Sequence, residues 1–130
     1  MDDLMSRVLV HKHRDVLAKS AVVAVPVGWF AIADAALEKL RPLHPRIEVY
    51  GLLRDPETAL LRVVFAADFD ASDADVALAE AAVAKARNLS AWTCMRDART
   101  ALLVQTRKGA AVLCEKCQAA VGLEVRRHAC

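Results

Sequence analysis

Leu4, Met5, Val8, Leu9, Val16 and Leu17 fall at gaps that suit one helical face, which predicts a helix over 4–19. Pro26 and Gly28 interrupt the chain before a cleaner stripe of Trp29, Ile32, Ala33, Ala36, Leu37 and Leu40. That spacing predicts a second amphipathic helix with Trp29 in the core, ended by Pro42 and Pro45. The pattern then changes. Residues 47–54 and 59–67 are rich in Val, Leu and aromatics, and Asp55-Pro56-Glu57-Thr58 between them has turn chemistry. An antiparallel hairpin is expected, with room for a third strand, because two strands alone are marginally stable.

Ser72 and Asp75 form a variant of the capping box, and Val76, Ala79, Val83 and Ala86 continue it as a helix to about residue 89. A second hairpin, 100–106 with 110–113, turns at Arg107-Lys108-Gly109. No structure is expected after Cys117. The order helix, helix, hairpin, helix, hairpin, with no alternating βα units, predicts an α+β fold in one domain. N-terminal helices pack on antiparallel strands in a core of residues 1–90. A small zinc-ribbon-like hairpin follows over 91–117, then a tail over 118–130.

Charge is unevenly distributed. Residues 1–90 hold 11 Lys/Arg against 13 Asp/Glu, a net of −2; residues 91–130 hold seven against three, a net of +4. Asp68, Asp70, Asp73, Asp75 and Glu80 form an acidic run suited to a protein partner, although helix capping accounts for part of it. Arg96, Arg99, Arg107, Lys108, Lys116, Arg126 and Arg127 could instead contact phosphates, with Trp92 stacking on a base. His11-Lys12-His13 reads as exposed and polar, since i and i+2 positions on a helix point apart. No apolar run reaches the roughly 18 residues of a membrane span, and Met-Asp-Asp lacks the positive start of a signal peptide. A cytoplasmic protein is expected.

Four cysteines, two of them as C-x-x-C, suit a metal site in a reducing compartment better than a disulfide framework. Cys114 and Cys117 supply two thiolates at knuckle spacing, and the intervening hairpin returns Cys94 beside them. Where a fourth cysteine is expected, three residues after Cys94, stands Asp97. Carboxylates bind zinc but are unusual in closed structural sites. The candidate set is therefore Cys94, Asp97, Cys114 and Cys117, with His128 or Cys130 able to replace Asp97, or an emptied site that binds nothing. A redox C-x-x-C is the weaker alternative, because the large α/β sheet that carries such motifs is not expected here.

Gly28-Trp29-Phe30, Leu61-Arg62, Thr93-Cys94, Leu113-Cys114 and Cys117 resemble, in order and spacing, a family of short, largely uncharacterised proteins of phages, prophages and plasmids. The resemblance covers roughly 25–117 and implies a C-x-x-C…C-x-x-C/H zinc ribbon, degenerate at Asp97, where the glycine that eases the knuckle turn is also missing. It implies no catalytic activity. The chain has no phosphate-cradling glycine loop and no nucleophile elbow, so a non-enzymatic protein is expected. The leading expectation is a binder of a host or phage protein complex, such as an anti-CRISPR inhibitor of a defence complex. Nucleic-acid binding and a purely structural, zinc-stapled or dimerising domain are the alternatives.

Overall fold

A computed structural model describes residues 3–106, 109–121 and 126–127. Helix α1 (Asp3–Lys12) leads into strand β1 (Leu17–Ala24). A 3-10 turn, Val27–Trp29, opens helix α2 (Phe30–Leu40), and a second one, Arg41–Leu43, closes it. Strands β2 (Ile47–Arg54) and β3 (Leu61–Ala67) follow, then helix α3 (Asp73–Ser90). The C-terminal part holds β4 (Leu102–Thr106), β5 (Gly109–Leu113), α4 (Glu115–Val121) and β6 (Arg126–Arg127). The fold is α+β, with two three-stranded sheets ordered β1-β2-β3 and β5-β4-β6.

The hairpin β2–β3 is antiparallel, with Leu52 opposite Val63 and Arg54 opposite Leu61. Its turn is two residues wider than expected. Asp55 N–H donates to the Leu60 carbonyl at 2.8 Å and Ala59 takes a left-handed φ of 62°, so β3 starts at Leu61 rather than at 59. The third strand is β1, and it pairs parallel to β2, with Val22 opposite Gly51. β1, α2 and β2 therefore form one βαβ crossover inside the mixed sheet, which the expected element order did not contain.

The helix expected over 4–19 stops at Lys12. His13 accepts at its carbonyl from both Val16 N–H and Leu17 N–H, which turns the chain. Val16 and Leu17 are buried as expected, but as the entry to a strand: the Val16 carbonyl accepts from Val49 N–H at 2.8 Å. His13 also departs from the expected exposed triplet. His11 is exposed, whereas His13 is fully buried against α2, its Nε2 2.7 Å from Asp34 Oδ1.

One apolar cluster runs through the chain from Leu9 to Cys117 and includes Trp29, Leu37, Leu40, Ile47, Leu52, Val104 and Val112. Trp29 is completely buried, as its stripe implied. Ser72 caps α3 in a reciprocal box with Asp75, and Arg46 pairs with the Asp75 carboxylate at 2.8 Å. The segment after Cys117, expected to lack structure, continues α4 to Val121 and returns Arg126–Arg127 to the edge of β4. A turn at 107–108 lies outside the described residues.

Candidate metal centre

The first half of the site is a tight loop after α3. Cys94 N–H donates to the Arg99 carbonyl at 2.7 Å, and Ala98 N–H donates back to the Cys94 carbonyl at 3.0 Å. Arg96 N–H points at Cys94 Sγ, 3.5 Å away, and Arg99 N–H reaches Asp97 Oδ1 at 3.2 Å. Backbone donors thus surround a sulfur and a carboxylate that would carry negative charge on an ion. Closing the loop needs a left-handed residue, and Ala98 supplies it at φ 65°. An L-residue pays roughly 1–2 kcal/mol there. Ala98→Gly should therefore raise stability by about 0.5–1 kcal/mol after the greater freedom of unfolded glycine is counted. A thermal melt reads this directly, and an unchanged or lower midpoint would show that the turn is not strained.

Two contacts hold this loop from the far side of the chain. Gly28 N–H donates to the Met95 carbonyl at 2.9 Å, and Trp29 Nε1 donates to the Thr93 carbonyl at 2.7 Å. A Cβ on Gly28 would stand 2.1 Å from the Cys94 carbonyl oxygen, so only glycine lets the two backbones meet. Met95 N–H, in turn, donates to the Val112 carbonyl of β5 at 2.9 Å. Gly28 and Trp29 were legible as a motif, but their spacing gave no sign that they seat the cysteine loop.

The second half comes from the end of the hairpin. Cys114 directly precedes α4, and its carbonyl accepts the helical bond from Gln118 N–H at 2.9 Å; Cys117 lies in the helix's first turn. The ribbon-like hairpin therefore passes its second ligand pair to a helix rather than to a second loop. Cys94, Cys114 and Cys117 are free thiols, all buried. Asp97 Oδ2 lies 3.2 Å from Cys114 Sγ and 3.4 Å from Cys117 Sγ. One donor atom from each of the four residues falls within 4.8 Å of every other. Bonds of about 2.3 Å to a tetrahedral ion set sulfurs about 3.8 Å apart, so four donors this close could hold one metal ion.

The electrostatics fit a cation. Burial pushes the Cys117 thiol up, and Cys114, Cys94 and Asp97 push it further, to about 12. Burial also raises the Asp97 carboxyl, but the Cys114 thiol, Arg99 N–H and the other two thiols outweigh it and hold it well below the usual carboxylate range. Asp97 is a ready anion, and the Cys117 thiol keeps its proton until something replaces it. A metal ion that enters must displace that proton, so its uptake rises with pH.

The other sequence candidates scatter. Asp75 is absorbed by the Ser72 cap and Arg46, and Asp68 Oδ1 accepts from Asp70 N–H at 2.8 Å. Asp70, Asp73 and Glu80 are exposed. Between Asp68 and Asp70 stands Phe69, fully exposed, which the charge pattern had hidden. Trp92 is mostly exposed and shares a shallow cleft with Thr100, Leu102 and Glu115; an adjoining cleft holds Arg99 and Lys116. Arg96 is exposed on the cysteine loop. Arg107, Lys108, His128 and Cys130 lie outside the described residues, as do the side chains of Arg126 and Arg127. Among the described residues no helix is long and apolar enough to cross a membrane.

No protein-family model, no curated protein and no solved structure matches this chain.

Proposed function

We propose that the chain is a non-enzymatic protein-binding domain whose C-terminal part is stapled by zinc at Cys94, Asp97, Cys114 and Cys117. The observation that carries the binding role is Phe69. A whole aromatic side chain in water forgoes the burial of 150–250 Å² that such residues usually find. Its loop is held by Asp68 N–H on the Arg46 carbonyl at 2.9 Å and by Ala71 N–H on the Asp68 carbonyl at 3.2 Å. Phe69 is thus presented on an ordered tip, flanked by Asp68 and Asp70. Aromatic anchors of this kind carry most of the energy at protein interfaces. The matching partner has an apolar pocket ringed by cations, the surface that complexes handling nucleic acid present. An inhibitor of a defence complex of that type, encoded on a mobile element, fits the reading.

The cysteine chemistry supports a staple over a redox pair. Reactive C-x-x-C thiols are acidified and reachable, whereas Cys114 and Cys117 are buried and Cys117 is pushed the other way. A second reading, nucleic-acid binding, draws on the adjoining clefts of Trp92 and of Arg99 with Lys116.

Phe69→Ala separates the two. In a pull-down from host lysate followed by quantitative mass spectrometry, it should lower recovery of a specific complex at least tenfold, a hot-spot loss of about 1.4 kcal/mol or more. Binding that instead falls steeply with salt, ignores Phe69→Ala and needs Trp92 would favour nucleic acid.

A further inference from the structure

A second group of metal-ligating side chains lies where α1 meets α2, and the staple does not involve it. His13 is fully buried there. Its Nε2 stands 2.7 Å from Asp34 Oδ1. An ionised carboxylate can only accept, so Nε2 carries a ring proton and donates it. The other nitrogen, Nδ1, is buried with no hydrogen-bond partner and faces Glu38 Oε1 at 3.8 Å. That gap is too long for a hydrogen bond. In the neutral ring it sets a lone pair against a carboxylate oxygen. A buried nitrogen orphaned in this way calls for something cationic in front of it.

The dimensions suit an ion. Two metal–ligand bonds of about 2.1 Å reach about 4.2 Å in all, so an ion set off the line between them would touch both Nδ1 and Glu38 Oε1 at their 3.8 Å separation. Asp34 and Glu38 are one helical turn apart on α2 and share a face. Asp34 takes the role that carboxylates play behind metal-binding histidines: it accepts the far N–H, fixes the tautomer and aims the ring. Local charge agrees. Asp15, Asp34 and Glu38 are joined by ion pairs to Lys12 and Arg41, which leaves one negative charge over.

We propose that His13 Nδ1 and the Glu38 carboxylate form a second cation site, for a first-row divalent ion such as zinc or manganese. Asp34 is its positioning residue, and water completes the shell at the half-exposed Glu38. The ion clamps the end of α1 to α2. Lys12, 2.9 Å from Asp34 Oδ1 and 4.0 Å from Glu38 Oε1, and Arg41, 3.3 Å from Glu38 Oε1, compete with it, which makes the site weaker than the thiolate cluster. Imidazole with carboxylate, and no sulfur, lets manganese serve as a probe that the thiolates disfavour.

The test is a titration of zinc-loaded protein with Mn2+, followed by paramagnetic broadening of proton signals. Broadening should centre on the His13 ring and the α2 amides near Glu38, and saturate at one ion per chain. Glu38→Gln, on the surface, leaves the fold intact and should weaken binding at least tenfold. Asp34→Asn should weaken it roughly 10–100-fold, as loss of a supporting carboxylate does. Lys12→Met should tighten it. Broadening that is absent at His13 in excess Mn2+, or that is unchanged by Glu38→Gln, overturns the proposal. The signals belong to His13, so they remain readable in Cys114→Ser, even if the thiolate cluster takes no zinc.

Discussion

Gly28→Ala should be among the most damaging single-methyl substitutions in this protein. The added carbon would lie 2.1 Å from the Cys94 carbonyl oxygen, 2.6 Å from the Met95 carbonyl carbon and 2.8 Å from the Arg96 nitrogen. All three are backbone atoms of one short loop, so no rotamer change relieves the overlap. Either the loop withdraws, breaking the Gly28–Met95 hydrogen bond and unseating Trp29 Nε1 from Thr93, or the entry to α2 does. Overpacking of this severity costs about 3 kcal/mol or more, a fall in melting midpoint of roughly 10 °C. Gly51→Ala is the internal control. Its new carbon would meet Val64 and Leu53 side chains at 3.2–3.3 Å, which can give way, so the loss there should be small. Equal midpoints for Gly28→Ala and the native chain would show that the loop is not held against α2.

The same contact shows what the sequence could and could not convey. Local features were readable. Hairpin β2–β3, helix α2 and the Ser72 cap follow from alternation, a helical stripe and turn residues set within a few positions of one another. The cysteine spacing, with a hairpin between, likewise gathers Cys94, Asp97, Cys114 and Cys117. Errors arose where a distant partner decided the outcome. Val16 and Leu17 satisfy a helical stripe, yet β2 recruits them into a parallel strand, and a parallel partner leaves no local trace. His13 looks solvated until Asp34, 21 residues on, accepts its proton. Gly28 looks like a helix breaker until the cysteine loop packs on it. Phe69 was obscured because the acidic run around it reads as charge alone. Burial, unlike periodicity, is a property of the whole chain.

On the proposed zinc staple, removing the metal should have the largest effect of all, and it should be regional. A structural zinc ion supplies about 10–16 kcal/mol of apparent binding energy near neutral pH, and in a site of this kind that energy is folding energy. With a chelator, the cysteine loop and α4 should lose amide protection, while β1, β2 and β3, which contribute no ligand, keep theirs. Zinc uptake should release protons and strengthen as pH rises, because the buried Cys117 thiol must give its proton up. The ligand series then ranks the donors. Cys114→Ser removes a thiolate that faces both Asp97 oxygens, at 3.2 and 3.4 Å, and should abolish stable loading. Asp97→Ala should leave a three-sulfur site open to water, with weaker retention under chelator. Asp97→Cys should give the tightest site, since four sulfurs suit zinc better than three and a carboxylate. Elemental analysis of gently purified protein that finds no zinc, together with Asp97→Cys that still binds none, would leave the four donors as packing alone. Zinc present at equal affinity in Asp97→Ala would instead assign the fourth position to water, His128 or Cys130.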